Sequence, residues 1–253
     1  MSLSLGKLSR GAGRYLPIRP FRMRNSGPLA SFTFDDVPES SFVHGAGVLE
    51  RHGLLGTFYI AFGQCGRENE QEHWALIKRE QVAELHHRGH EIGCHTYSHV
   101  KVQHLSAIGL SEELRRNRSE SMDICNDMVL SNFAYPYGVV SLNRKLQLQK
   151  HFTSCRGIYP GINRGIIDLA LLSAHELYDR TCAEQSIETA IGEAVATNGW
   201  IIFYTHDVAP NPSWIGCSPN LLDKTICAAK RRGLACVTIR EGLERIGAVR
   251  TLT

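Results

Sequence analysis

The chain has 253 residues, 43% of them hydrophobic and 21% charged, an ordinary globular composition with enough length for one large domain and a full core. No Ser/Gly/Pro-rich linker, low-complexity tract or internal repeat marks a second domain. The net charge of +3 is too weak to argue for a nucleic-acid partner, and no apolar run approaches the roughly 20 residues of a membrane span.

Residues 1–34 contain no Asp or Glu but carry Lys7, Arg10, Arg14, Arg19, Arg22 and Arg24. Residues 1–27 read as a solvated basic arm, and residues 28–253 as one catalytic domain. Such an arm also suits anionic lipid or an anionic substrate carrier, and its composition allows a transit peptide. A secretory signal is not expected, because no apolar run of the usual length precedes a small-residue cleavage site. The eight cysteines form no C-x-x-C and no clustered pairs, so they read as reduced, mostly buried thiols. The expected location is therefore cytoplasmic, peripheral at the inner membrane face if the arm meets lipid.

From residue 29 short apolar stretches read as strands: LASFTF (29–34), LLGTFYIAF (54–62), HEIGCH (90–95), NFAYPY (132–137), SCRGI (154–158) and GWIIFYTH (199–206). Helical spacing lies between them. Val82 and Leu85 precede a stop at Gly89. Ile187, Ile191 and Val195 follow Ser186 as an N-cap, and Leu222, Ile226 and Ala229 precede Gly233. Strand and helix alternating in this way predict an α/β fold with a parallel sheet, closed or nearly closed into a barrel. Asp35, Asp36, His95, Tyr137 and His206 all fall at predicted strand ends, where such folds carry their chemistry.

Two adjacent carboxylates after an apolar strand repel each other unless something offsets the charge. HTYSH (95–99) supplies a reason for them. On a helical turn His95 and His99 would share one face, and two imidazoles with one carboxylate make a three-ligand catalytic metal set with a position left for water. One Asp then binds the ion, and the other stays free to take a proton from the acidified water. The donor set suits zinc best, with cobalt or nickel also able to sit there.

TFDD (33–36), HTYSH (95–99), FAYPYG (133–138) and FYTHD (203–207), in that order, resemble the polysaccharide deacetylases of the NodB-homology type, carbohydrate esterase family four. The resemblance spans roughly residues 28–245 and implies a distorted (β/α) barrel of about seven strands. It implies Asp35 as general base, Asp36, His95 and His99 as metal ligands, and His206 as general acid. Tyr135, Pro136 and Tyr137 would line the groove, with the Tyr137 N–H on the oxyanion. The implied partner is a carbohydrate with an N-acyl amino sugar, as an oligomer, a lipid-linked saccharide or a membrane-surface substrate. The implied activity is N-deacetylation; a deformylase, an O-acetyl esterase or a carbohydrate-binding protein that has lost catalysis are the alternatives.

The sequence departs from the family pattern in three places. Ala134 stands where many members carry an Arg that braces the catalytic Asp, and Arg156 in the next strand is the candidate to replace it. DDVP stands where DDG is usual. The Asp that tunes the acid His is not evident, with Asp168 and Asp207 as candidates; Trp200 and Trp214 read as packing or groove wall.

Overall fold

A computed structural model describes residues 13–69 and 72–248. Its strands are β1 (Pro20–Arg22), β2 (Leu29–Asp35), β3 (Thr57–Ile60), β4 (Glu68–Asn69), β5 (Trp74–Ala75), β6 (Glu91–Cys94), β7 (Asn132–Ala134), β8 (Ser154–Arg156), β9 (Ile166–Asp168), β10 (His175–Glu176), β11 (Trp200–Thr205) and β12 (Ala235–Cys236). The helices are α1 (Gly47–Arg51), which runs on from a wider turn at Ser41–Ala46, α2 (Arg79–His87), α3 (Ala107–Ile124), α4 (Leu142–Leu148), α5 (Glu184–Ala196), α6 (Pro219–Arg231) and α7 (Ile239–Arg245).

The main sheet runs β10-β11-β2-β3-β6-β7-β8, all parallel, with β12 beside the first residues of β2. Irregular chain closes most of the gap between its edges. Leu172 N–H donates to Cys155 O at 2.7 Å, Gly157 N–H to Leu172 O at 3.0 Å and Ala174 N–H to Tyr159 O at 3.0 Å. The result is the expected α/β fold: a curled, distorted parallel barrel with helices outside.

Every residue of β2 is buried, as a parallel strand covered on both faces must be. Alternation sorts the side chains. Phe32, Phe34, Phe58 and Phe203 face the helices, with Phe34 stacked on Phe58 at 4.6 Å and Phe32 on Phe203 at 5.6 Å. The alternate positions face inward and are largely polar. Deep in the barrel Glu91 accepts from Thr57 Oγ1 (2.8 Å) and Asn132 Nδ2 (2.6 Å), while Ser154 Oγ donates to Asn132 Oδ1 (2.9 Å). The first turn of α7 closes this belt. Arg240 N–H donates to Glu91 and Ile239 N–H to Thr57 Oγ1. Burial pushes the Glu91 carboxyl above its ordinary value, against those hydrogen bonds.

The expected arm divides. Residues 1–12 lie outside the described ones, and residues 13–27 run along the barrel, anchored by their backbone and by Arg19, with Arg14, Arg22 and Arg24 exposed. β1 pairs with β9, buried Lys145 reaches Gly13 O, Leu16 O and the Asp168 carboxylate, and Arg19 donates to Phe152 O and Thr153 O. Asp168 also accepts from Ile18 N–H and Arg19 N–H, so it secures this strap and does not orient His206. Several predicted strands are shorter than their apolar runs. Residues 54–56 are irregular chain before β3, and Pro136 stops β7. α5 begins at Glu184, so Ser186 lies inside it and is not the N-cap.

Gly93 faces inward on β6, where a Cβ would collide with the ring of Tyr59. Gly93→Ala is expected to destabilise the fold by about 1–3 kcal/mol, as overpacking does. Urea unfolding of the two proteins measures the difference.

Candidate active site

All main-sheet strands point their C-terminal ends at one rim. β2 brings Asp35 inward on the same face as Ser31 and Thr33. Its neighbour Asp36 would by alternation face the other way. The chain corrects this by leaving the strand: Asp36 takes φ 57° and Val37 N–H bonds back to Asp35 O at 2.5 Å. Both carboxylates then line one cavity.

His95 follows β6 on its inward face. Its Nδ1 lies 2.9 Å from Ala134 O, which fixes the proton there and leaves the Nε2 lone pair free. Residues 95–99 form a strained loop rather than the expected helical turn, with Thr96 at φ 61° and His99 at φ 52°. Glu113, from α3, holds this loop by accepting from Tyr97 N–H (2.9 Å), Ser98 N–H (2.8 Å) and Ser98 Oγ (3.1 Å). His99 Nε2 then comes 3.0 Å and His95 Nε2 3.4 Å from Asp36 Oδ1. That oxygen is buried and makes no hydrogen bond of good geometry, while the three ligand atoms lie within 4.8 Å of one another. An orphaned carboxylate oxygen facing two imidazole nitrogens fits a divalent ion. Burial pushes His95 down to about 3 and His99 down to about 4, so both stay neutral, as ligands must. Burial, reinforced by the charge of Asp35, pushes Asp36 up to about 6.

Arg156, at the end of β8, is fully buried and its Nη2 bonds Asp35 Oδ1. Its guanidinium lies between the rings of Tyr59 (5.0 Å) and Tyr204 (5.2 Å). Arg156 is the register partner of Ala134 on β7. Burial opposes charge on Asp35, but the Arg156 cation outweighs it and holds the carboxyl below its ordinary value.

His206 follows β11 across the same cavity. Its Nδ1 faces Ile215 O at 3.1 Å, and its own carbonyl accepts from Ser41 Oγ. Asp207 does not orient it: that carboxylate takes Ser213 N–H (2.8 Å) and Ser213 Oγ (2.6 Å), shaping the loop that presents Ile215. Trp74, at the start of β5, lies over the His206 ring, with centres 6.0 Å apart and planes inclined by 30°. Trp200 is core, with Nε1 on Ser31 Oγ, and Trp214 is exposed beneath the guanidinium of Arg180.

The three groove candidates separate. Tyr137, at φ 58°, is half exposed and packs on His99 with ring centres 4.5 Å apart. Pro136 is buried, and Tyr135 is buried with its hydroxyl on Ala170 O, so neither lines the cavity. A cavity of about 250 Å³ holds Asp35, Asp36, His99, Tyr137, Trp74 and His206. A second, of about 330 Å³ with Gln64, Arg67 and Ser98, shares Asp36, Asn69, His99 and Tyr137 with it. The two form a groove across the candidate metal ligands, walled by the β4–β5 hairpin.

Comparison with known proteins gives matching relatives. The family model described as polysaccharide deacetylase matches residues 22–153, just over half of the chain. The bifunctional xylanase/deacetylase of Pseudobutyrivibrio xylanivorans is 24% identical over 219 residues, 87% of this chain and 31% of that one. The chain therefore spans about a third of that relative's length. The chitin deacetylase of Colletotrichum lindemuthianum has a similar fold, with a TM-score of 0.59 at 19% identity, covering 91% of this chain and 92% of that one. So has a family 4 acetyl xylan esterase of Clostridium thermocellum in complex with a cobalt ion, with a TM-score of 0.57 at 23% identity, covering 85% and 90%.

An ion bound by these ligands must displace the proton of Asp36 at low pH. Apparent zinc affinity, measured by chelator competition, is expected to be flat above about pH 7 and to fall roughly tenfold per pH unit below 6. A fall that steepens towards a thousandfold per unit below pH 6 would mean that both histidines titrate as exposed ones do, alongside Asp36.

Proposed function

The chain belongs to the polysaccharide deacetylase family, and from that premise we propose that it is a divalent-metal-dependent hydrolase removing an N-acetyl group from an amino sugar of a poly- or oligosaccharide. The observation that carries this reading is the meeting of Asp36, His95 and His99 at one point of the groove that Asp35 and His206 also line.

In this reading Asp36, His95 and His99 hold the ion; their donor set favours zinc, with cobalt or nickel as substitutes. An ion there supplies Lewis acidity, making a water acidic and polarising the acyl carbonyl. Asp35 accepts the proton of the attacking water. Its pairing with Arg156 keeps it ionised at neutral pH, so it is always ready to accept. Its low basicity makes placement, rather than basicity, its contribution. His206 gives the proton to the leaving nitrogen from Nε2, since Nδ1 is engaged with Ile215 O. The backbone N–H of Tyr137 is the proposed protein donor to the oxyanion.

The relatives also favour a second reading, hydrolysis of an O-acetyl ester, because one solved neighbour is an acetyl xylan esterase. The two readings are separated by comparing acetate release from N-acetylglucosamine oligomers with release from acetylated xylan. A protein that only binds carbohydrate has no need for Asp35 and His206 beside the ligand set, which argues against lost catalysis.

Asp35→Asn and His206→Ala are each expected to lower kcat by about 10²–10⁴ with little change in KM and the metal content of the wild type retained. Acetate assay with elemental analysis checks this. Wild-type rates in either variant would remove that residue from its role, and no metal uptake by the wild type would overturn the reading itself.

A further inference from the structure

Among the described residues one other set of three metal-ligating side chains converges, on the outside of the barrel: His52, Asp223 and Cys227. Asp223 and Cys227 are four residues apart on α6 and so share one face of it. His52 directly follows α1 and reaches across to them. Its Nε2 lies 2.8 Å from Asp223 Oδ1, Cys227 Sγ lies 4.0 Å from Asp223 Oδ2, and the three ligand atoms fall within 4.8 Å of one another. Ligand atoms of a tetrahedral zinc ion stand about 3.3–3.8 Å apart, given bonds of about 2.0–2.3 Å. Small side-chain adjustments therefore bring these three into range.

The geometry points to a second divalent-metal site, distinct from the groove, that clips the end of α1 to α6. Its donors are one imidazole, one carboxylate and one thiolate, a set that selects zinc and its soft neighbours over magnesium or calcium. Ionised Asp223 and Cys227 together carry the charge that balances a dication. On binding, the thiol proton passes to solvent, and the proton that His52 Nε2 donates to Asp223 moves to Nδ1 by exchange with solvent, which frees the Nε2 lone pair for the metal. The nearby cations are engaged elsewhere: Lys230 Nζ bonds His52 O at 3.2 Å, and Lys224 lies 3.5 Å from Glu184. A cavity of about 480 Å³ lined by Asp223 and Cys227 opens on the remaining side and leaves room for water as a fourth ligand.

Cobalt separates this site from the groove, because Asp36, His95 and His99 include no sulfur. The full chain saturated with cobalt is expected to bind two ions and to show a thiolate-to-cobalt charge-transfer band in the near ultraviolet. Cys227→Ser, and separately His52→Gln, should lose the band and one ion while binding the other. Asp36→Asn with His99→Ala should lose the groove ion and keep the band. One ion and no band in the wild type would overturn the proposal, as would a band that survives Cys227→Ser. Neither readout depends on hydrolysis, so the proposed activity and this site fail separately.

Discussion

The buried pair of Arg156 and Asp35 is the constraint around which the site is built. Neither charge is tolerable alone at that depth: removing one partner of such a pair typically costs about 3–5 kcal/mol. Paired, they leave Asp35 ionised and fixed beside the candidate metal ligands. The barrel makes room for the guanidinium. Ala134 is small where a longer side chain would compete, Tyr59 and Tyr204 flank the cation, and Gly93 lets Tyr59 lie inside. The bracing charge that the family resemblance assigns to β7 thus comes here from the next strand, at the registered position.

The ligand side of the site depends on strain rather than on charge. Seven described non-glycine residues have positive φ, and Asp36, Val37, Thr96, His99 and Tyr137 are five of them. Such conformations cost of order 1–3 kcal/mol each and persist only where the surroundings impose them. Each has a reason. Asp36 must turn back to share a cavity with its neighbour. Thr96 and His99 bend the loop that Glu113 holds, and Tyr137 turns the chain after Pro136. Val37, β-branched at φ 47°, occupies the place where the family pattern has glycine, and its buried side chain joins the core in exchange.

Much of this was legible in the sequence, because the informative residues follow apolar strands. TFDD and HTYSH placed Asp35, Asp36, His95 and His99, and the missing Arg at Ala134 directed attention to Arg156. What was not legible has physical reasons. His206 is oriented by a backbone carbonyl, that of Ile215, and any residue supplies one. Trp74 lies on strands of two residues, too short for a periodic signal. Glu113 acts from the middle of a helix, where its charge reads as a solvated face. The basic arm was legible in part for a related reason. Arg14, Arg22 and Arg24 are exposed as their charge suggests, yet Arg19 is spent on backbone carbonyls and β1 is held by β9, partners far away along the chain.

The most direct test is to move the charge back across one strand, comparing acetate release and its pH profile in Arg156→Ala and in Arg156→Ala with Ala134→Arg. The expected result is a loss of activity in the single variant, with its acid limb shifted upward as Asp35 loses its partner. Substantial recovery is expected in the double variant. Full activity and an unchanged profile in Arg156→Ala would contradict a base held ionised by that pair.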